Sequence, residues 1–293
     1  MTIASPCVGI CKLDDATGWC IGCGRGGAEI ADWREESTAW RGAIWSEIPE
    51  RLKKLGVACR RLPWTTSDIQ TFVAQSLEQG SGTWVMGTVG AVAEFSPASG
   101  QSVAVKVRDD KLTAHTEGGA VSMRIDDSVR ALTFEPPSTP VERSRIVLAV
   151  KRERGRPPVA SCITDLGEDV TPLIDEYPKH LFDLGINQKE ARFCVRVAEG
   201  SAHSVLLSAA GQPLIPSLPT LGPVLAAESP TRVIETALGR IEIQSPIPSP
   251  GGRSPDGPHT HLLPDQLELG RAMPVGMDLP RAYLPGALFY PRA

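Results

Sequence analysis

The feature that most constrains the fold is a cluster of cysteines near the start of the chain. The segment SPCVGICKLDDATGWCIGCGRG (residues 5–26) holds four of the seven cysteines among 293 residues: Cys7, Cys11, Cys20 and Cys23. Two close pairs separated by an eight-residue loop are typical of a closed tetrahedral thiolate site, because each pair forms one side and the loop brings the pairs together. The pattern predicts a metal-binding knuckle whose folding depends on the metal.

Disulfides and a redox Cys-x-x-Cys motif are the two alternatives to a metal site. The N-terminus lacks the basic region and the apolar stretch of a secretory signal, and no segment has the ~20 apolar residues that span a bilayer. We therefore expect a cytoplasmic protein, in which disulfides are disfavoured and clustered thiols bind metal. A thioredoxin-like motif would open a helix after a strand, and no strand is predicted before Cys20.

The spacing is compatible with two kinds of metal centre. Zinc is the usual occupant of two close cysteine pairs, and four cysteines also suit an iron–sulfur cluster. Trp19 and Trp33 would shield either centre, and Arg25 would offset part of the thiolate charge. We expect one metal centre as the cofactor, either zinc or iron–sulfur.

The same residues carry a resemblance to a known family. The segment SPCVGICKLDDATGWCIGCGRGGAEIADW, followed by a short helical tail that ends in PERL, resembles the small bacterial family named domain of unknown function 1289. Its members are often labelled as predicted iron–sulfur proteins. The resemblance covers about the first 55 residues, and it implies that Cys7, Cys11, Cys20 and Cys23 are the ligands.

Composition along the chain predicts an α+β protein with two domains. Residues 1–58 form the four-cysteine domain with short helices, residues 59–68 (CRRLPWTTSD) form a linker, and residues 69–293 form a larger domain with mainly antiparallel strands. The end of the larger domain is rich in Pro and Gly, and we expect it to wrap over the domain as ordered but irregular chain.

Local signals near the N-terminus predict several short helices. Helices are expected at residues 26–33 and 36–48, the second with Ser37 as its N-cap, and a further helical piece is expected to start at Pro49. A capping box of Ser67 with Gln70 predicts another helix over residues 68–79, which should end before the following glycine.

In the larger domain, alternation across a Glu-Gly-Gly turn predicts a β-hairpin. The facing residues are Leu112, Ala114 and Thr116 on one strand and Val121, Met123 and Ile125 on the other. Further strands are expected in SVRALTFE, SRIVLAVKR, VASCITDLG, ARFCVRVA and GRIEI, and further helices in residues 171–185 and 201–211.

His259 and His261, within GGRSPDGPHTHLLP, are a second candidate site. On an extended chain the two side chains point to the same side, since strand side chains repeat every two residues. Such a pair can bind a metal with a third ligand such as Glu94 or Glu242. In the alternative, the histidines hydrogen-bond to backbone carbonyls of a proline-rich loop and bind no metal.

Other signals exclude several function classes. The segment GTVGAVAEF lacks the Lys-Ser/Thr of a phosphate-binding loop, no G-x-S-x-G occurs, and a net charge of -4 argues against nucleic acid as a partner. The segments WVMGTVGAVAEF and LGRIEIQSPIPSPGGRSPDGPHTHLLP are similar to an uncharacterised bacterial family, which implies one long second domain without an assigned activity.

Together these observations predict a metal-binding accessory or interaction protein with a structural four-cysteine centre, a protein partner and no membrane association. The alternative is an iron–sulfur oxidoreductase or another metalloenzyme, in which His259 and His261 form a second site. The residues are compatible with an enzyme and with a non-catalytic protein, and they predict no particular oligomeric state.

Overall fold

Two antiparallel sheets and five α-helices make up the described part of the chain. The computed structural model describes residues 3–87, 92–155, 157–174, 179–186, 191–249, 252, 256–261 and 278–292. Its helices are α1 (Gly27–Ala31), α2 (Thr38–Lys54), α3 (Thr66–Glu78), α4 (Ser201–Ser208) and α5 (Leu214–Glu228). The α+β class expected from the sequence is confirmed.

The strands are short and follow one another along most of the chain. They are β1 (Arg60–Arg61), β2 (Gly82–Met86), β3 (Val92–Phe95), β4 (Ala104–Arg108), β5 (Lys111–Thr116), β6 (Gly119–Arg124), β7 (Val129–Thr133), β8 (Ile146–Lys151), β9 (Thr164–Glu168), β10 (His180–Asp183), β11 (Ala191–Val197), β12 (Thr231–Thr236), β13 (Gly239–Ile243), β14 (His259–His261) and β15 (Tyr283–Pro291).

The strands form one sheet of seven and one of eight. The seven-stranded sheet has the order β1-β7-β8-β15-β2-β3-β14, and the eight-stranded sheet has the order β4-β5-β6-β13-β12-β11-β10-β9. The predicted hairpin is confirmed as β5–β6, in which Leu112 lies opposite Met123 and Ala114 opposite Val121. The predicted strands at 129–133, 146–151, 191–197 and 239–243 are also present.

The inner faces of both sheets share one hydrophobic core. On β8, the alternate residues Ile146, Leu148 and Val150 face this core, while Val147 and Ala149 face the opposite side of the same sheet. Alternate residues of β11 and β13 and the apolar face of α3 complete the shared core. The two sheets are therefore packed face to face.

The helix α2 begins directly after its predicted N-cap residue. Ser37 caps α2 as expected, since the backbone N–H of Trp40 donates to its Oγ at 3.2 Å. The helix then continues through Pro49 to Lys54, so the two predicted pieces are one helix. The buried side chains Ile48 and Leu52 lie on either side of the proline, and their packing compensates for the lost backbone hydrogen bond.

The helix predicted over residues 68–79 starts two residues earlier, at Thr66. Its capping box is formed by Thr65 and Asp68 rather than by Ser67 and Gln70: the Asp68 N–H donates to Thr65 Oγ1 at 3.2 Å, and the Thr65 N–H donates to Asp68 Oδ2 at 2.8 Å. A carboxylate accepts this bond more strongly than an amide and also favours the positive end of the helix.

Residues 171–185 were expected to be helical, and this prediction is wrong for the part that is described. His180–Asp183 form β10, which lies between β9 and β11, and residues 175–178 lie outside the described residues. Leu181 and Phe182 are both buried, on opposite sides of the strand, so pairing on both edges outweighs the local helical pattern.

The C-terminal segment was expected to be an irregular wrap, and instead Tyr283–Pro291 form β15 near the middle of the seven-stranded sheet, between β8 and β2. A register shift between Pro285 and Ala287 accommodates the first proline. Pro291 pairs with Gly82 at the end of the strand, where a missing N–H is tolerated.

Arg60–Arg61, within the segment predicted to be a linker, form β1 at the edge of the same sheet and pair with β7. Among the described residues, no helix combines the length and the hydropathy that a membrane crossing requires.

The central position of β15 gives a testable consequence. Phe289 is 1% exposed, and its ring centroid lies 5.1 Å from that of Trp84 and 5.2 Å from that of Phe72. We expect Phe289→Ala to lower the free energy of unfolding by about 3–5 kcal/mol, because it leaves a cavity between the sheet and α3. Denaturant titration followed by tryptophan fluorescence measures this change.

The matched control is Leu166→Ala, since Leu166 is 38% exposed on the edge strand β9. Its effect should stay within about 0.5 kcal/mol. A loss below about 1 kcal/mol for Phe289→Ala would contradict a core position for the C-terminal strand.

Candidate metal centre and buried charge network

The four-cysteine segment contains two turns, one after the other along the chain. A turn over residues 14–18 returns the chain, so that Leu13 bridges to Cys20 and Trp19 bridges to Gly26 in antiparallel fashion. A second, tighter turn follows, in which the Gly24 N–H donates to the Cys20 carbonyl at 2.7 Å. Gly24 has a φ of +73°, which favours glycine at this position.

The two loops that carry the cysteine pairs are in direct contact. Gly22, between Cys20 and Cys23, packs against Ile10, the residue before Cys11: a Cβ at Gly22 would lie 2.6 Å from the Ile10 Cβ. The thiol of Cys20 donates to the Ile10 carbonyl at 3.0 Å. The loop that carries the second cysteine pair is therefore packed against the loop that carries the first.

Backbone N–H groups point at two of the four sulfur atoms. The Gly9 N–H lies 3.4 Å from Cys7 Sγ, and the Gly22 N–H lies 3.4 Å from Cys20 Sγ. In each case the donor is two residues after the first cysteine of a pair. Such donors stabilise negative charge on sulfur, so they prepare both positions for a thiolate.

Burial differs among the four thiols. Cys20 and Cys23 are buried, Cys7 is half-buried and Cys11 is exposed. Burial raises the pKa of the Cys23 thiol, and hydrogen bonds and charge from Arg25 act in the opposite direction. Among the described residues, no three His, Cys, Asp or Glu side chains lie close enough together to hold a metal ion.

The donor set and its surroundings fit a thiophilic metal. Arg25 is 4% exposed, its guanidinium lies 4.6 Å from the Trp33 ring centroid, and its Nε has no hydrogen-bond acceptor among the described residues. A buried cation next to Cys23 is favoured if nearby sulfur carries negative charge, as it does when thiolates bind a metal.

The cysteine segment is anchored on the outer face of the seven-stranded sheet. Val8 is buried in a cluster with side chains of that face, which are Val85, Val92, Leu132, Val147, Ala149, Tyr283 and Leu288. Arg61 of β1 donates to the carbonyl of Ser5, and Trp45 of α2 donates to the carbonyl of Ala4 at 2.8 Å. Gly9 lies so close to Ala282 that a Cβ on it would be 2.7 Å from the Ala282 Cβ.

His259 lies on β14 opposite Glu94 of β3. Its Nδ1 is 3.0 Å from the carbonyl of Gly257, and its Nε2 is 3.2 Å from Glu94 Oε2. A carbonyl can only accept, so the contact with Gly257 is a hydrogen bond when the proton is on Nδ1. This bond is the kind of contact that we expect if the histidines hydrogen-bond to backbone carbonyls of the loop and bind no metal. The side chain of His261 lies outside the described residues, and a metal at this pair stays a prediction.

Glu242, the other carboxylate considered for the histidine pair, is engaged elsewhere. It is fully buried on the outer face of the eight-stranded sheet, where its carboxylate pairs with Arg196 Nη2 at 2.8 Å and with Arg240 Nε at 2.7 Å. It also accepts the backbone N–H groups of Leu173 at 2.8 Å and Ile174 at 3.4 Å. The chain after β9 therefore closes over this carboxylate.

Glu242 belongs to a network of buried charges that the sequence analysis did not identify. Asp169 pairs with Arg240 and, at 3.0 Å, with Arg196, while Glu235 bridges Arg240 and Arg192. The sequence signal is a few charged residues among the apolar residues of β11, β12 and β13: Arg192, Arg196, Glu235, Arg240 and Glu242. Only the strand register shows that they meet.

Two family models match the chain. A model described as "Family of unknown function (DUF6925)" matches residues 68–293, and the chain belongs to this family. A model described as "Protein of unknown function (DUF1289)" matches residues 5–52, which confirms the resemblance of the cysteine segment. No curated protein and no solved structure is similar enough to the chain to match it.

The buried network makes folding sensitive to acid. Burial raises the pKa of Asp169, but hydrogen bonds from Arg240 and Arg196 outweigh it and hold that pKa below its usual value. The carboxylate therefore contributes stability above the unfolded-state pKa of about 3.9, and this contribution is lost as the pH falls through the lower folded-state value. Asp169→Asn should cost about 3 kcal/mol at pH 7 and flatten the acid limb of the stability profile below about pH 4.

Denaturant titrations from pH 7 to pH 2.5 measure this profile. Asp256→Asn is the control, because Asp256 is exposed and lies outside the network. Equal pH profiles for Asp169→Asn and wild type would contradict a stabilising role for this carboxylate.

Proposed function

We propose that this DUF6925 family member carries one structural metal centre, bound by Cys7, Cys11, Cys20 and Cys23, and acts as an accessory protein for a protein partner. The observation that carries the proposal is the contact between the two cysteine loops, in which Gly22 packs against Ile10 and the Cys20 thiol meets the Ile10 carbonyl. This contact brings the two cysteine-bearing loops together, which supports a centre shared by both pairs.

The metal would act as a cross-link within residues 5–52. When bound, a zinc ion or an iron–sulfur cluster replaces the thiol protons and joins the two loops through four metal–sulfur bonds. This chain's own residues support such a centre: Gly9 and Gly22 direct backbone N–H groups at sulfur, and Arg25 supplies a buried positive charge. Thiols must stay reduced to bind, which is consistent with a cytoplasmic location.

Four protein ligands leave no open coordination position, so the centre is better suited to structure than to catalysis. Its place on the sheet supports the same conclusion. Val8 and the Ser5 carbonyl, on the chain that leads into the first cysteine pair, are held by the outer face of the seven-stranded sheet and by Arg61. A metal would fix this segment, and with it α2, on the body of the protein.

The helix α2 would supply the surface for the partner. Its last turn carries Arg51, Lys53 and Lys54, and of these Arg51 pairs with Glu29 and Glu47 while both lysines are exposed. Exposed lysines at a helix end suit a partner with acidic groups. The partner would therefore bind to α2 only when the metal-binding segment is correctly folded.

One observation favours a second candidate function, an iron–sulfur oxidoreductase. Cys11 is exposed, so a cluster bound there would reach the protein surface, where electrons can pass to or from another protein. The identity of the metal distinguishes the two functions.

The test compares metal content in matched cysteine variants. We expect Cys20→Ser to lose the metal and to unfold residues 5–52, while the sheets stay folded, because a unit this small depends on its metal. Cys59→Ala is the control: Cys59 lies outside the ligand set, and burial raises the pKa of its thiol to about 12. Metal analysis of protein purified without oxygen, together with hydrogen exchange, measures both effects.

Equal metal content in Cys20→Ser and wild type would contradict the ligand assignment. Zinc in colourless wild-type protein supports the structural function, whereas iron and sulfide in brown protein support the oxidoreductase. Wild-type protein without zinc or iron would contradict both.

A further inference from the structure

An open cleft of 610 Å³ lies on the outer face of the eight-stranded sheet, away from the cysteine segment. It lies where the β12–β13 turn meets the chain after β8 and the chain after β9. Among the described residues, five cations line it, together with one carboxylate, Glu235. The cations are Lys111, Arg124, Arg154, Arg192 and Arg240.

Two of the arginines are held in place by the buried charge network. Glu235 binds Arg192 through both Nε, at 2.8 Å, and Nη2, and it binds Arg240 Nη1 at 3.2 Å. Behind Arg240 lie the carboxylates of Asp169 and Glu242. The floor of the cleft is thus a set of guanidinium groups whose orientation is fixed before any ligand arrives, which lowers the entropy cost of binding.

Ion pairs and hydrogen bonds also hold Arg124 and Arg154, which form a wall of the cleft. Arg124 Nε lies 2.6 Å from Asp110 Oδ2, and Arg154 Nη1 donates to the Arg124 carbonyl at 2.8 Å. Asp126 lies 3.6 Å from Arg154. Burial lowers the pKa of Arg154, so an anion in the cleft would offset part of the cost of burying this charge.

The residues that line the cleft carry a charge opposite in sign to the net charge of the whole chain. Of the described charged groups that line it, five are positive and one is negative, whereas the chain has a formal net charge of -4. The carboxylates of Asp169 and Glu242, which pair with Arg240, are almost fully buried, and Asp110 and Asp126, which pair with Arg124 and Arg154, are not among the lining residues. A ligand that enters the cleft therefore meets positive charge first.

We propose that this cleft binds a small molecule that carries an oxyanion, either a phosphate or a carboxylate. Guanidinium groups match the geometry of both anions, and the volume is that of a small-molecule site. Pro157 and Leu173, which also line the cleft, provide apolar contact for the rest of the ligand. This site is independent of the metal centre, since it shares no residue with it.

The test is a calorimetric titration of the full chain in 0.15 M salt with inorganic phosphate, pyrophosphate and citrate as separate probes. The variant is Lys111→Ala/Arg124→Ala, which removes two cations from the rim: Lys111 is exposed, and the Arg124 side chain is 63% exposed. Circular dichroism checks that the fold is retained. We expect at least one probe to bind wild type, and the variant to bind it roughly tenfold more weakly or worse.

The charge-matched control is Lys53→Ala/Lys54→Ala, which removes two exposed cations from α2 and should leave binding within about twofold of wild type. Preference for phosphate and pyrophosphate assigns the site to phosphate ligands, and preference for citrate assigns it to carboxylates. Wild type that binds none of the probes, or a rim variant that binds as wild type does, would overturn the proposal.

Discussion

The fold depends on a seven-stranded sheet that is buried on both faces. On β8 the side chains of Ile146, Leu148 and Val150 enter the core shared with the second sheet, and Val147 and Ala149 enter a second cluster that includes Val8. A strand with apolar residues on both sides is stable only if both sides are covered. The cysteine segment is the cover for the outer side, so the two family-matched parts of the chain are packed against each other.

The outer face of the eight-stranded sheet differs from that of the seven-stranded sheet, because it buries charged side chains. There β11 and β13 carry buried arginine and glutamate beside a small apolar cluster of Leu181, Cys194 and Val233, and the side chains of Arg196, Asp169 and Glu242 are almost fully buried. Apolar side chains of similar volume would stabilise such a face at least as well, since desolvating charges is costly. A face built from buried, mutually oriented charges is better explained by binding, and the cationic cleft opens directly onto it.

Periodic local signals made much of the fold predictable. The β5–β6 hairpin, the Ser37 cap and the strands around Ile146 and Phe193 each follow from a local pattern in the sequence. The failures occur where distant pairing overrides local chemistry. The Pro/Gly-rich C-terminal end indicated irregular chain, yet β15 accommodates its prolines at a bulge and a strand end.

The candidate sites differ in predictability for the same reason. The four cysteines lie within 17 residues of one another, so their spacing alone indicates a site. The cleft residues range from Lys111 to Arg240, and only the order β5-β6-β13-β12-β11 brings them to one face. A cluster assembled by strand register leaves no short motif, only isolated charged residues like those of an ordinary solvated strand face.

The two sites also lie on opposite sides of the molecule. The cysteine segment covers the outer face of one sheet, the cleft opens on the outer face of the other, and the shared core fills the space between the inner faces. A metal at the cysteines therefore cannot touch a ligand in the cleft, and any influence between the sites must pass through the packed core. We therefore propose that a metal at the cysteines serves the architecture of the protein, and that the arginines and carboxylates of the second sheet serve the binding of a small molecule.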